Sequence, residues 1–275
     1  MRSRNPVSWR TSAPFIVCHF LPLIGLFTGF SPVDLVLLVV LYAVRTFFIT
    51  AGYHRYFAHR SFRTGRLMQF VLAFGGLTAA QKGPLWWAAH HRDHHRYTDT
   101  ERDPHSPLRG FWWSHVGWLL SGEYGETDYE SIKDFARYPE LRFLNRHDWI
   151  GPWALGIASF LIGGWSGLFI GFFGSTVLLW HATFSVNSFA HVFGRRRYET
   201  NDLSRNSLGV ALITGGEGWH NNHHHFPKSA RQGFFWWEID VTYGVLRVLS
   251  RVGLVRDLRL PTAASLDARR VTIKA

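Results

Sequence analysis

Residues 31–59 read SPVDLVLLVVLYAVRTFFITAGYHRYFAH, which joins a long apolar run directly to two histidines. A helix needs about 20 apolar residues to cross a bilayer, and the run over 33–51 is close to that length. Arg45 lies near its end, where its side chain can reach the interface or face protein. The stretch therefore predicts a membrane span that ends beside His54 and His59.

Three further apolar runs complete a pattern of two hairpins. One precedes Ser31-Pro32, and two lie on either side of the break at Gly163-Gly164-Trp165-Ser166. Both hairpin turns lack Lys and Arg, whereas the segments outside the spans carry them, so the positive-inside rule places the turns outside and both termini in the cytoplasm. The predicted spans cover residues of about 14–30, 33–51, 149–163 and 166–186.

These spans predict an all-α integral membrane protein that forms a single domain over 1–275. Residues 54–146 and 191–275 would form a helical cytoplasmic cap, and the short apolar segment 67–81 within the cap would be an interfacial helix. We expect a multi-pass protein of the bacterial inner membrane, with its active site in the cytoplasm.

The charge distribution favours a membrane partner over nucleic acid. The formal net charge is +11, yet Lys and Arg are absent between Arg10 and Arg45 and between Arg146 and Arg195. A basic surface beside apolar blocks fits anionic membrane lipid. The only cysteine is Cys18, which excludes an internal disulfide and a cysteine-based metal site.

Histidine is the unusual residue, with 16 copies in 275 residues. His91, His94 and His95 are spaced i, i+3, i+4, which places them on one helical face. The same spacing recurs in the sequence 220–224. His54 and His59 are five residues apart, so they share a face only if a helix ends or kinks between them.

The clustered histidines indicate a metal site with two ions. Nine clustered imidazoles exceed the three or four ligands that one ion needs. Imidazole binds Fe, Zn, Cu and Ni, so histidine alone does not select the metal. Outside the clusters we expect structural histidines, namely His19, His105, His115, His147 and His181, and we also leave His90 and His225 out of the site.

At these residues the chain resembles the membrane fatty-acid desaturases, most closely the Δ9 or stearoyl-CoA branch. The resemblance covers about 39–260 and rests on HRYFAH at 54–59, HRDHH at 91–95, NSFAH at 187–191 and GEGWHNNHH at 216–224. It implies four spans under a cytoplasmic cap, and a fatty-acyl desaturase that uses O2 to insert a cis double bond at Δ9.

The resemblance also implies the site residues. Two non-haem iron ions would be held by His54, His59, His91, His94, His95, His191, His220, His223 and His224. Asn187 would reach one iron through water, and Gln81, Trp87 and Thr183 would line the bend of an acyl tunnel. Carboxylates that orient the imidazoles are expected among Glu217, Asp93, Asp99, Asp103 and Asp202.

The acyl carrier is the point at which the chain departs from the animal acyl-CoA enzymes. Those enzymes have Arg-Asp before the second histidine box, where this chain has Ala89-His90, and a basic pair where it has Ser121-Gly122-Glu123. Fewer cations weaken the case for binding CoA phosphates. The other matching motifs still favour acyl-CoA over a phospholipid acyl chain.

Electrons for the reaction would come from another protein. The sequence has no fused-cytochrome haem motif, no dinucleotide-binding glycine motif and no cysteine set for an iron–sulfur cluster. We expect a ferredoxin, rubredoxin or cytochrome with its reductase.

Two other functions remain as alternatives. A lipid or alkane hydroxylase or a carotenoid oxygenase could use the same di-iron scaffold. A metal transporter would instead need ionisable residues near the middle of the bilayer, and there the sequence offers only His19 and His181.

Overall fold

The computed structural model describes residues 7–29 and 31–271. Residues 1–6, 30 and 272–275 belong to the predicted single domain but lie outside the described residues, as does the last residue of the predicted first span.

Helices account for nearly all of the regular structure in the described residues. The α-helices are α1 Trp9–Gly25, α2 Pro32–Phe47, α3 Arg66–Leu77, α4 Pro84–Tyr97, α5 Trp118–Leu120, α6 Lys133–Ala136, α7 Pro139–Arg146, α8 Ile150–Ser166, α9 Ser175–Val192, α10 Leu208–Ile213, α11 His220–His225, α12 Val241–Arg251 and α13 Ala263–Asp267. Three π-helical segments and one 3₁₀ turn add Phe48–Ala58, Trp113–Gly117, Gly167–Gly174 and Pro107–Arg109. Strands β1 Arg63–Thr64 and β2 Val255–Arg256 pair antiparallel.

Two helical stretches of the described residues are long and apolar enough to cross a membrane. They are Pro32–Ala58, with 27 residues, and Ile150–Val192, with 43 residues, while Ser12–Gly25 and Arg66–Leu77 are shorter apolar helices. The predicted second span lies in the first of the long helices, and the third and fourth lie in the second. Four membrane crossings stay a prediction.

The 43-residue helix reverses direction at Gly164. That glycine has φ +62° and ψ −149°, a backbone conformation that side chains disfavour. A Cβ atom placed on Gly156 would be 3.6 Å from both Leu168 and Phe172, so residues 12 and 16 positions apart lie side by side. The reversal falls within the hairpin break that the sequence predicts at 163–166.

Arg45 faces protein rather than the surface. Its side chain is buried, and its guanidinium donates to Thr176 Oγ1 at 2.7 Å, to the carbonyl of Thr78 at 3.3 Å and to Ser175 Oγ. These hydrogen bonds supply the partners that a buried cation needs. They join α2 to the end of α3 and to the start of α9.

Close packing of α3 holds the π-helical segment Phe48–Ala58 in place. A Cβ atom on Gly76 would be 2.1 Å from Tyr53 Cε1, so only glycine allows this approach. The hydroxyl of Tyr53 donates to the carbonyl of Lys82, just before α4, at 3.1 Å. Helices α3 and α4 are thus fixed against the segment that carries His54.

Candidate metal centre

The clustered histidines come together in two adjoining groups. The ligand nitrogens of each group lie within 4.8 Å of one another. The two groups touch, because the ring centroids of His95 and His224 are 4.5 Å apart. We call them site A, with His54, His59, His91, His95 and His223, and site B, with His94, His191, His220 and His224.

The π-helical segment Phe48–Ala58 explains how His54 and His59 point the same way. The amide of His59 donates to the carbonyl of His54 at 3.2 Å, which is the i to i+5 bond of a π-helix. This wider turn places residues five apart on one side of the helix, and the two ring centroids are 4.8 Å apart. The π turn therefore takes the place of the helix end or kink that the five-residue spacing of His54 and His59 requires.

Each i, i+3, i+4 box contributes to both sites. In α4, His91 and His95 belong to site A, whereas His94 belongs to site B. In α11 the assignment is reversed: His223 joins site A, and the other two histidines join site B. Because each box bridges the two sites, the pair is tied together by two short helices.

Site A has the donor arrangement of a metal site. The Nε2 atom of His223 lies 3.0 Å from that of His54 and 2.9 Å from that of His95. His91 Nε2 lies 2.9 Å from His59 Nε2. A neutral imidazole carries one N–H, so five converging nitrogens cannot all be satisfied by hydrogen bonds to one another. Converging lone pairs of this kind fit a cation.

The nitrogen atoms of site B also converge in a way that fits a cation. His191 Nε2 lies 3.0 Å from His220 Nε2, and His224 Nε2 lies 3.1 Å from it. The Nε2 atom of His94 is buried and has no hydrogen-bond partner among the described residues. An orphaned buried nitrogen is costly unless it binds something, and a metal ion would supply that partner.

Four carboxylates contact ligand histidines on the nitrogen that points away from the sites. Each accepts from an Nδ1 atom, which fixes the proton there and leaves Nε2 free to bind metal. The pairs are Asp103 with His94 at 3.0 Å, Asp99 with His191 at 3.2 Å, Asp202 with His224 at 2.9 Å, and Glu217 with His54.

Asp93, the fifth predicted carboxylate, has a different position. It points away from the centre and lies 3.6 Å from Arg96, whose side chain is largely exposed. Four of the five predicted carboxylates thus contact a ligand histidine.

The orienting carboxylates are held in their charged form. Burial alone would raise the pKa of Glu217, but His54 and Arg55 lower it to about 2. Burial is likewise outweighed by His94 in lowering the pKa of Asp103, and by the hydrogen bond from His224 in lowering that of Asp202. Ionised carboxylates are strong acceptors for the Nδ1 protons, so they stabilise the tautomer that binds metal.

Most of the ligand histidines are held neutral. Burial, followed by the neighbouring imidazoles, lowers the pKa of His91, His95, His220 and His223 well below the ordinary value. Only a neutral imidazole can donate its lone pair to a metal. The enclosed site therefore keeps these ligands competent at neutral pH.

Three residues near the centre were not predicted to belong to it. Gln232 Nε2 donates to Glu217 at 2.9 Å, and Arg55 contacts the same carboxylate at 2.8 Å. His105 was expected to be structural, yet its ring centroid lies 4.3 Å from that of His94. Arg55 could have been noticed because it lies inside the first box, whereas nothing in the sequence points to Gln232.

The other histidines outside the clusters have their own partners. His19 Nε2 lies 2.9 Å from His181 Nε2, and His181 Nδ1 lies 2.9 Å from His115 Nε2. They are thus satisfied structurally, as expected, although they form a connected row rather than isolated positions. His90 and His225 bond the carbonyls of Trp86 and Ser265 and stay outside both sites.

A cavity of about 570 Å³ lies beside site A, whose His91 contributes to its wall. Its volume is in the range of small-molecule sites. Four predicted residues line it, since Gln81, Trp87, Thr183 and Asn187 all contribute to its wall. Gln81 Nε2 donates to Thr183 Oγ1 at 3.1 Å, which fixes both side chains.

A second cavity of about 40 Å³ continues beyond the first. Trp87, His91, Thr183 and Asn187 line both cavities, so they stand at the passage between them. An elongated apolar molecule that occupied both would therefore run past a ligand of site A.

Sequence comparisons identify the class of protein that has this fold and site. A family profile described as fatty acid desaturase matches residues 31–246. The chain therefore belongs to the fatty acid desaturase family, whose members are oxidoreductases of lipid metabolism.

Three similar proteins differ in the names of their substrates. An sn-1 stearoyl-lipid 9-desaturase of Anabaena variabilis is 42% identical over 77% of this chain and 78% of its own length. A Delta-9 acyl-lipid desaturase of Arabidopsis thaliana is 40% identical over 89% and 81%. An acyl-CoA C20 Delta5-desaturase of Anemone leveillei is 38% identical over 90% and 79%.

Proposed function

We propose that this chain is an O2-dependent fatty-acyl desaturase that inserts a cis double bond at Δ9 of a saturated acyl chain. The observation that carries the proposal is the convergence of nine imidazoles beside a cavity that passes their ligands. One non-haem iron ion would be held by the five histidines of site A and another by the four of site B. Bound iron would supply the activation of O2 against an unactivated C–H bond.

The protein's own residues position the acyl chain and the ligands. Trp87 and Thr183 hold the chain at the passage between the cavities, with Gln81 fixing Thr183 by its hydrogen bond. An acyl chain that is held in one position reacts preferentially at one bond. Asn187 lies one helical turn before His191 and lines both cavities, so its amide can hold a water molecule beside site B.

The charge of the segment beside the cavity wall favours a glycerolipid carrier, although the matching sequence motifs favour acyl-CoA. Residues 121–130 contain four carboxylates and no Lys or Arg, and Gly122, Tyr124 and Gly125 of this segment line the cavity. None of the four carboxylates lines the cavity, so they would repel the phosphates of CoA only outside this wall. An uncharged lipid headgroup would meet no such repulsion.

Two cations of the described residues lie at or beside the same wall. Lys82 lines the cavity, and the guanidinium of Arg109 lies 3.4 Å from the ring of Trp113 and donates to the hydroxyl of the wall residue Tyr124 at 3.4 Å. A helix N-terminus can bind phosphate, but the one at α4 already donates from Leu85 and Trp86 to Asn145 Oδ1, at 3.0 and 2.8 Å. These contacts also support the glycerolipid.

The proposed setting is the cytoplasmic face of a bacterial inner membrane. The exposed apolar side chains of α1, α2 and α8, such as Phe20, Val39 and Leu161, suit a surface that contacts lipid. An external carrier, either a ferredoxin, a rubredoxin or a cytochrome, would deliver electrons from its reductase.

A single-turnover assay tests both the reaction and the carrier. The purified protein in lipid nanodiscs, loaded with iron and reduced by dithionite, is mixed once with O2 and with stearoyl chains presented either on a glycerolipid or on CoA. Mass spectrometry with double-bond localisation then identifies the product. We expect a cis-9 monoene from the glycerolipid.

Each other product has a distinct meaning. A monoene from stearoyl-CoA alone would contradict the glycerolipid carrier and leave the desaturase. A hydroxy acid would support the hydroxylase alternative. Unchanged stearoyl chains on both carriers, despite oxidation of the iron, would contradict a fatty-acyl substrate.

A further inference from the structure

A basic surface lies where site A approaches solvent. His59 and His95 of site A are partly exposed. The residues that follow them, Arg60 and Arg96, have side chains that are 61% and 60% exposed. Two exposed cations therefore adjoin the ligands that lie nearest to the surface.

The two arginines lie on the same side of the site. Arg92 and Arg96 are one turn apart on α4 and share a helical face. Arg92 contacts Asp134 at 2.9 Å, and Arg60 contacts the same carboxylate at 3.3 Å. Arg60, Arg92 and Arg96 thus form one side of the surface.

Two backbone hydrogen bonds bring further cations to the other side. The amide of Arg259 donates to the carbonyl of Ser61 at 2.9 Å, and the amide of Ala230 donates to the carbonyl of Arg259 at 2.7 Å. Lys228, two residues before Ala230, and Arg259 are both exposed. Arg259 therefore lies beside Ser61, the residue after Arg60, and Lys228 is close along the chain to the contact with Arg259.

We call this surface the basic patch. Its five cations face two carboxylates, which leaves an excess of three positive charges. The cations are Arg60, Arg92, Arg96, Lys228 and Arg259, and the carboxylates are Asp93 and Asp134.

The proposed reaction requires an electron supply at such a position. Reduction of O2 to two water molecules takes four electrons; the two C–H bonds of the substrate provide two, together with two protons. Two more electrons and two more protons must come from elsewhere. Since electron transfer weakens steeply with distance, a carrier protein has to dock where the metal sites approach the surface.

We propose that the basic patch docks a small acidic one-electron carrier protein. The inference rests on the proposed desaturase function and names the surface and the charge of its partner. Opposite charges on two proteins raise their association rate and make it sensitive to salt.

A charge-reversal variant tests the patch. Lys228→Glu with Arg259→Glu changes two exposed side chains that touch neither site and keeps the backbone hydrogen bonds of Arg259. Arg142→Glu, which reverses one charge outside the five cations of the basic patch, is the control, because Arg142 is an exposed arginine of α7 whose cation–π contact is with Tyr129 at 5.7 Å. A Lys228→Gln, Arg259→Gln variant replaces the first if charge reversal impairs folding.

The assay compares three acidic carriers as probes: a plant-type 2Fe–2S ferredoxin, a rubredoxin and a soluble cytochrome b5 domain, each kept reduced by its reductase. For at least one carrier, we expect the kcat/KM of the unchanged protein for that carrier to fall as the salt concentration rises. The double variant should lose at least ~10-fold in kcat/KM at low salt and respond less to salt. Arg142→Glu should match the unchanged protein.

Dithionite separates failure of docking from failure of the proposed function, because it reduces the iron without a docked carrier. If dithionite yields no monoene in the unchanged protein, the proposed function has failed rather than the patch. If dithionite succeeds but none of the three carriers does, the docking proposal is overturned. The same kcat/KM and salt response in the double variant as in the unchanged protein would also overturn it.

Discussion

Glu217→Gln is the sharpest test of how the protein prepares site A. The carboxylate contacts His54, Arg55 at 2.8 Å and Gln232 at 2.9 Å, and the residue is buried. Glutamine keeps the shape but removes the charge that holds the Nδ1 proton of His54. Loss of such a partner lowers metal affinity by about 10–100-fold, which corresponds to about 1.4–2.8 kcal/mol.

The fold should survive this substitution. Arg55 also contacts Asp240 at 3.0 Å, so the buried guanidinium keeps one carboxylate. Removal of its only partner would have cost about 3–5 kcal/mol. The loss of charge is therefore expected to appear mainly in metal binding.

The assay is iron retention against a chelator, measured by elemental analysis after anaerobic loading and dialysis. Asp93→Asn is the matched control, since it removes the same charge from a carboxylate whose ion pair is with Arg96, at 3.6 Å. We expect the Glu217→Gln protein to lose iron from one site at chelator concentrations that leave both sites of the control filled. Equal retention in the two proteins would refute the reasoning.

Four further predictions concern site B, the passage between the cavities, the packing of α3 and the pH range of iron binding. Asp202→Asn removes the carboxylate of His224 and should weaken iron binding at site B by at least ~10-fold, as measured by titration with Fe²⁺. Thr183→Phe places a ring at the passage between the cavities, so monoene formation should cease while iron content stays unchanged. Gly76→Ala forces a methyl group against Tyr53 and should lower the free energy of unfolding by about 1–3 kcal/mol, measured by denaturant titration. Because burial lowers the pKa of four site A ligands well below the ordinary value, namely His59, His91, His95 and His223, site A should keep its iron down to about pH 6, where exposed histidines already titrate, as measured by elemental analysis after dialysis.

The sequence was informative about the position and type of the main elements. Long apolar runs located both long helices, and the paired glycines at 163 and 164 located the reversal within α8. Local composition and periodicity suffice for such features, because each depends on residues that are close in sequence. The number of membrane crossings depends on the bilayer as well as on the chain, and it stays a prediction.

The geometry of the centre was less accessible from the sequence. Spacing placed His91, His94 and His95 on one face but could not divide them between two sites, because the division depends on where α4 and α11 meet. The joint orientation of His54 and His59 needed the π-helical segment, and α-helical periodicity does not predict that segment. Gln232 reaches Glu217 from 15 residues away, a contact that only the folded loop creates.

Product analysis in cells tests the central claim most directly. Total fatty acids from cells that express the unchanged chain, His223→Ala or the control His147→Ala are compared by gas chromatography–mass spectrometry with double-bond localisation. His223 belongs to site A, whereas the ring of His147 bonds the carbonyl of Phe143 and belongs to neither site. We predict a new cis-9 monoene in cells that express the unchanged chain or His147→Ala, and none in cells that express His223→Ala. The same monoene in the His223→Ala cells, or a hydroxy acid in place of the monoene, would contradict this prediction.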